Sequence, residues 1–242
     1  MLYKCVDLIP EELLARARKL SSALICDGAR YSGLDLKNDG CFGAECKPVS
    51  DSMKVLGTAL TVHTEGGSIY PIQVAIKYAG PGYVLVVDTD QCRDRCLCGD
   101  IVMSTCKAVG AEGLVIDGYV RDKEGLKKLG FPVFSLGVTP RSPVREKCGS
   151  INEPIVCCGI KVSPGDLIIG DADGVVAIPR EHIALVLDKA EEKRQFEEKR
   201  IEQAQGYCEA KQMGKPLPEI IPKWALDFLK TELKEQALLA DI

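Results

Sequence analysis

Arg121 and Asp122 stand side by side at the end of the apolar run GLVIDG, separated from it only by Tyr119 and Val120. A guanidinium is a planar fork suited to a carboxylate or an enolate oxygen. A carboxylate is a hard oxygen ligand for Mg²⁺ or Mn²⁺. Gly99 and Asp100 hold the matching position after the preceding apolar run, PGYVLVVDT: strand, loop, then a helix start. Backbone N–H groups at such a start bind carboxylate or phosphate, and Asp100 can orient a water beside them. A plainer reading stands next to each. Asp122 and Asp100 are also well suited to cap the helices that follow them, and the local sequence leaves both readings open.

The elements that have to position these residues follow from periodicity. Two buried strands (PGYVLVVDT and GLVIDG) are separated by a helix, GDIVMSTCKAVGA, and FPVFSLG follows the short helix DKEGLKKLG, which Gly130 stops. Strand–helix alternation with unbroken apolar strands predicts βαβ units and a parallel sheet covered on both faces. Ligands bind such sheets outside the carboxyl ends of the strands. Arg121–Asp122 and Gly99–Asp100 belong at that end, on strands expected to be neighbours. Upstream, residues 10–25 have helical spacing after Pro10, CDGARYSGLD reads as a loop, residues 54–63 as a strand and 69–79 as a helix. Downstream, EPIVCCGIKVSPGDLIIGDADGVVAIPR reads as short antiparallel strands broken by Gly and Pro. A charged helix over 181–205 is expected to end at Gly206. The connector KPLPEIIP and a last amphipathic helix with Trp224 follow, suited to docking on the body or on a neighbouring subunit.

The chain has 242 residues, 46% hydrophobic and 27% charged, with a net charge of −4 and acidic and basic side chains interleaved. That suits one globular domain with an appendage. Without a basic stripe, nucleic acid is not expected as a partner. Without a signal peptide or a long apolar run, a soluble, cytoplasmic protein with no membrane contact is expected.

Other features carry less chemistry. Cys92, Cys96, Cys98 and Cys106 lack the paired spacing and the histidines of a zinc site, and Cys157–Cys158 read as packing. Asp166, Asp171 and Asp173 read as β-turns rather than a calcium loop, which would need further ligands. His63 and His182 complete no triad, and no phosphate-binding loop or nucleophile elbow is present.

Taken together, SSALICDG, VLGTALTV, PGYVLVVD, GLVIDGYVRD, GFPVFSLG, VSPGDLIIGDADGVVAIP and the charged helix ending at Gly206 resemble, in order and spacing, one known family. It joins the regulator of ribonuclease E activity A to the 4-hydroxy-4-methyl-2-oxoglutarate/4-carboxy-4-hydroxy-2-oxoadipate aldolases. The resemblance covers about residues 20–206 and does not extend to 207–242. It implies an α/β fold: a single β/β/α layered domain of the swivelling type with a mixed sheet (1–206), plus a C-terminal helical extension (207–242). It also implies a homotrimer or a dimer of trimers.

The family's aldolases are marked by an acidic residue, twenty intervening residues and Arg-Asp, which its ribonuclease regulators typically lose. Asp100 and Arg121 enclose twenty residues and Asp122 follows. By this resemblance Asp122 holds Mg²⁺ or Mn²⁺, and Arg121 holds the pyruvoyl oxygen and stabilises the enolate. The backbone around Gly99, Asp100, Ile101 and Val102 binds the pyruvoyl carboxylate. Asp100 positions a proton-shuttling water, and Glu197 comes from a neighbouring subunit. The implied activity is a class II, metal-dependent aldolase that cleaves a 4-hydroxy-2-oxo acid to pyruvate and also decarboxylates oxaloacetate. Two rivals remain: a non-catalytic protein-binding regulator and a related lyase on a sugar acid. No Schiff-base lysine is needed, and Lys123 and Lys127 fall on a solvated helix face. The loop between Asp88 and Gly99 departs from the family's small residues. Its Arg93 and Arg95 are either plain surface charge or a site for a second carboxylate or phosphate.

Overall fold

The apolar runs assemble as the middle of one mixed sheet. The computed structural model describes residues 6–240; residues 1–5 and 241–242, the outer ends of the two expected domains, lie outside that range. In chain order the strands are β1 (Lys47–Pro48), β2 (Val55–His63), β3 (Tyr83–Asp88), β4 (Cys96–Cys98), β5 (Gly113–Asp117), β6 (Tyr119–Val120) and β7 (Val133–Ser135). They continue with β8 (Gly137–Val138), β9 (Ser150–Ile151), β10 (Ile155–Cys157), β11 (Ile160–Val162), β12 (Leu167–Asp171) and β13 (Gly174–Ile178). The helices are α1 (Glu11–Ala17), α2 (Ser22–Tyr31), α3 (Tyr70–Ala75), α4 (Asp100–Ala108), α5 (Lys123–Leu129), α6 (Ile183–Gln212) and α7 (Lys223–Ala240).

The main sheet runs β1-β7-β5-β3-β2-β12-β13, with β9 joined to the end of β2. Its centre, β7-β5-β3-β2, is parallel, and β12 returns antiparallel to β2. Register pairs His63 with Asp88 and Asp88 with Asp117, so the three carboxyl ends are level. Beyond that edge β4, β6 and β8 form a small parallel sheet of their own. Three layers result. Ile72, Met103, Cys106 and Leu126 from α3, α4 and α5 pack on Leu60, Leu85 and Leu114. On the opposite face, Ile155, Cys157 and Ile160 of the β10–β11 hairpin pack on Val84, Val86 and Val115. This is the expected β/β/α arrangement. Each fully buried aliphatic side chain contributes roughly 1.5–3 kcal/mol.

Several sequence expectations are corrected. The helix expected over 10–25 is two helices: Ser21 leaves the helical conformation and its hydroxyl caps α2 by accepting from the Leu24 N–H at 3.2 Å. The loop expected at Cys26–Asp35 is in its first half the body of α2. Gly28 does not break it; a Cβ there would lie 2.9 Å from Ala190 Cβ, so the glycine permits close packing against α6. Arg16 ties the same corner together, donating to Asp188 at 2.6 Å and to Glu191 at 2.9 Å. The helix expected over 69–79 spans only Tyr70–Ala75.

The chain forms two compact units, one through Lys193 and one from Arg194. In the second unit Gly206 does not stop α6, because a helical glycine costs only about 1 kcal/mol relative to alanine. The stop falls at Gly214 (φ 64°), where Gly214 N–H bonds to Lys211 O and Lys215 N–H to Ala210 O, a Schellman pair. Trp224 on α7 is 76% exposed. Among the described residues no helix is long and apolar enough to cross a membrane.

Asp166, just before β12, is buried. It accepts N–H bonds from Ser163 (2.8 Å) and Arg180 (3.3 Å), yet burial pushes its pKa up to about 6. A folded-state pKa above the unfolded value contributes stability below about pH 4 that is lost as pH rises through 6. Denaturant titrations at pH 4 and pH 7 should show parent stability falling relative to Asp166→Asn by on the order of 2 kcal/mol across that window. A constant difference between the two proteins would refute the assignment.

Candidate active site

The sheet places the charged turn by carrying the chain past its own edge. After β5, Gly118 passes so close to Thr89 that a Cβ would lie 2.8 Å from Thr89 Cγ2. β6 then pairs with β4, and Arg121 N–H donates to Cys98 O at 3.0 Å. This bond sets Arg121 and Asp122 directly against Gly99 and Asp100.

Neither aspartate caps its helix as the plainer reading expects. Asp122 occupies the N-cap position of α5 but makes no side-chain capping bond, and its backbone is left-handed (φ 57°, ψ 45°). This region is uncommon for residues other than glycine, though aspartate tolerates it better than most. Its carboxylate turns instead to Gly99, where a Cβ would overlap Asp122 Oδ2 and stand 2.8 Å from Arg121 Cγ. Asp100 is the first residue of α4, and Gly99 takes the N-cap position. Asp100 in turn lies over the first turn of α5, where a Cβ on Gly125 would overlap its Oδ2. Each acidic group thus rests on a glycine of the other segment. Asp122 Oδ2 is 3.3 Å from Arg121 Nε, and the two side chains are 37% and 40% exposed.

The first N–H groups of α4, on Asp100, Ile101 and Val102, have no acceptor within the helix. Val102 is buried whereas Ile101 is 75% exposed. Arg121 has a partner that sequence reasoning missed: its Nη1 donates to Ser142 Oγ at 3.1 Å. The segment bearing Ser142 is fixed by backbone bonds from Thr139 N to Val120 O and from Cys96 N to Arg141 O, both 2.9 Å. Only its short hydroxyl residue and the nearby TPR sequence could have drawn attention to it.

The arginines of the β3–β4 loop part company. Arg93 donates to the Asp117 carboxylate at 2.5 Å and to its carbonyl at 3.0 Å. Arg95 pairs with Asp94 through two bonds of 3.0 and 3.1 Å, and Arg141 reaches the same carboxylate at 3.0 Å. The hydrogen bond from Arg95 holds the Asp94 carboxyl down at about 2. Cys96 and Cys98 form part of β4 and are buried; burial pushes both thiols up, and pushes Cys106 to about 12. His63, expected to join no triad, pairs with Asp88 at 2.9 Å at the ends of β2 and β3. Glu124 pairs with Lys127 at 3.2 Å on the exposed face of α5. A groove of about 940 Å³, lined by Leu56, Gly82, Pro132 and others, opens at the amino ends of the strands, and none of the expected site residues lines it.

A family model described as RraA-like, Aldolase/RraA, matches residues 22–177, well over half of the chain. The chain belongs to this family. A protein of Halalkalibacterium halodurans named "Putative 4-hydroxy-4-methyl-2-oxoglutarate aldolase" is 40% identical over 154 residues, 64% of this chain and 73% of that protein. Among solved structures, the Streptomyces coelicolor RraAS2, described as an unusual member of the RNase ES inhibitor RraA protein family, has a TM-score of 0.67. It is 25% identical and covers 81% of this chain and 97% of that one. The RNA-processing inhibitor RraA from Thermus thermophilis has a TM-score of 0.53 at 25% identity, covering 57% of this chain and 84% of that one. The likenesses thus span proteins named for aldolase activity and proteins named for inhibition of RNA processing. Within this RraA-like chain Glu197 lies on α6, in the second compact unit, and the other expected residues lie in the first.

Gly99→Ala isolates the close approach, because φ −149° is open to any residue and only the new methyl acts. On the metal-dependent reading proposed below, the variant should keep its fold and bind Mn²⁺ at least about tenfold more weakly than the parent, since displacement of a ligand by about 1 Å is enough to lower function sharply. Unchanged Mn²⁺ affinity by calorimetry would show that Gly99 does not set the Asp122 position.

Proposed function

We propose that this RraA-like protein is a divalent-metal-dependent carbon–carbon lyase that cleaves a 4-hydroxy-2-oxo acid to pyruvate and also decarboxylates oxaloacetate. The observation that carries this reading is the Asp122 turn. A carboxylate at a helix start forgoes the cap, adopts a left-handed backbone and stands half-exposed beside an arginine and a second helix N-terminus. Such backbone conformations persist where the surrounding structure over-determines them, and they cluster at active sites.

The donor set fits Mg²⁺ or Mn²⁺. Among the described residues no group of three or more His, Cys, Asp or Glu side chains is placed to hold a metal. Mg²⁺ commonly takes only one or two protein carboxylates and keeps water or substrate oxygens in its other positions. Asp122 would hold it. When bound, the ion supplies Lewis-acid stabilisation of the charge that develops on the substrate oxygen.

The chain's own groups do the rest. The N–H groups at the α4 start, next to Gly99, hold the pyruvoyl carboxylate with the help of the helix dipole. Arg121, steadied by Ser142, donates to the 2-oxo oxygen, and its bond strengthens as that oxygen becomes an enolate. Asp100, braced against Gly125, orients a water that accepts the C4 hydroxyl proton and later returns a proton to the enolate carbon. Glu197 completes the site from a neighbouring subunit of a homotrimer or a pair of trimers. The partial exposure of Arg121 and Asp122 in one chain supports closure by a second copy.

The likeness to RNA-processing inhibitors favours a competing, non-catalytic role, and one assay separates the two. With Mg²⁺ the protein should release pyruvate from a 4-hydroxy-2-oxo diacid and from oxaloacetate, and EDTA should stop it. Asp122→Asn keeps a residue at ease in the left-handed conformation, so its stability should stay within about 0.5 kcal/mol of the parent. Its turnover should fall at least about a hundredfold. Absence of turnover on the whole 2-oxo acid panel would leave the regulator reading in its place.

A further inference from the structure

The second compact unit, from Arg194 onward, is built without a core. Among the described side chains none from Arg194 to Glu232 is buried, and α6 buries only Ile183, Val186, Leu187 and Ala190, all within the first unit. The unit nonetheless carries large apolar side chains. Trp224 and Phe228 on α7 are 76% and 62% exposed, and Leu229, with Leu217 and Ile221 of the connector before it, is exposed as well. Trp224 and Phe228 are four residues apart, so they stand one above the other on one face of the helix. The entry to that helix is fixed. Arg200 of α6 donates to Ile220 O at 2.7 Å, and the Glu219 carboxylate accepts from the Ile221 N–H at 2.6 Å. Most helical stability in proteins comes from packing an apolar face, and an exposed apolar patch marks a site of interaction.

The charges of α7 narrow what covers that face. Lys223, Lys230 and Lys234 are matched by Asp227, Glu232 and Glu235, with the two signs interleaved. A helix that lies on a membrane surface is rich in Lys and Arg on its polar face. Nucleic acid selects a cationic excess. Neither pattern is present, whereas a helix of zero net charge and mixed signs does not repel a copy of itself. Two aromatic side chains of about 150–250 Å² each, with three aliphatic neighbours, supply much of the roughly 800 Å² that one partner gives to a stable interface. We propose that α7 and the connector before it are a self-association element, through which Trp224 and Phe228 dock on a second copy of this chain. The element lies outside residues 22–177, which the family model matches, so the contact is additional to those of the family domain. It is independent of the lyase chemistry.

Trp224 is the single tryptophan of the chain, so its emission reports on α7 alone. Emission and sedimentation are followed together on the full chain over a dilution series. The parent should sediment as an oligomer with blue-shifted emission, and the emission should move to that of water-exposed tryptophan as the oligomer dissociates. Phe228→Glu should weaken self-association at least tenfold and show the exposed emission at concentrations where the parent does not. Phe228→Leu, which keeps an apolar side chain, should behave as the parent. Exposed emission from the assembled parent would overturn the proposal, as would a Phe228→Glu variant that matches the parent in mass and emission throughout. Blue-shifted emission that persists in a monomer would put α7 on its own body. Emission that turns blue only when phosphatidylserine vesicles are added would assign the face to lipid. Either result overturns the second copy as the occupant.

Discussion

The contact between the Asp122 carboxylate and Gly99 governs how the carboxyl edge of the sheet is built. It requires three separate features at once. Position 99 has no Cβ, so the oxygen can approach the start of α4. Residue 122 accepts a left-handed backbone, which turns its side chain away from the helix it precedes. The Arg121 N–H bond to Cys98 O brings the two segments to the same level. In an ordinary N-cap position the lone pairs of an aspartate are occupied by N–H groups of its own helix. The reciprocal packing of Asp100 on Gly125 gives the edge a second lock of the same kind. A carboxylate held off its own helix in this way keeps its oxygens for an external partner.

The strands and their order of appearance were readable in the sequence because their signal is local. Unbroken apolar runs such as VLVVD and GLVID become β3 and β5, and the alternation with helices gives the parallel centre. The small sheet β4-β6-β8 was not readable. Its strands have two or three residues, and β4 is the CLC of a loop whose sequence suggests cysteine chemistry rather than pairing. Glycine misled twice in the same sense. Gly28, within a segment that reads as a loop, lies inside α2 as a packing site, and Gly206, expected as a helix stop, lies inside α6. A glycine's role depends on what approaches it, and that information is non-local.

The candidate site divides in the same manner. The residue types of Asp100, Arg121 and Asp122, together with the strand ends they follow, indicated their chemistry. The sequence could not decide between capping and ligation, because that choice turns on one backbone conformation and one hydrogen bond. Ser142 and Arg141 gave little signal. Their relation to Arg121 and to Asp94 is made by the return of the chain after β8. Arg93 and Arg95, equivalent in sequence, were separated only by which carboxylate each meets.

The interval of twenty residues between Asp100 and Arg121 has a physical origin in this fold. From Asp100 the nine residues of α4 descend about 13 Å along the sheet. A turn at Val109–Glu112 reverses the chain, and the five residues of β5 climb back about 17 Å. Gly118 and the two residues of β6 then add the step that carries Arg121 over the edge to meet Cys98 O. One helix down and one strand up return the chain to its starting level, so the interval records a distance matched by two kinds of backbone. Its residues in between, Met103, Cys106, Leu114 and Ile116, serve the helix-side core and not the site. The spacing is therefore a property of the βαβ unit. The chemistry enters only through what stands at its two ends.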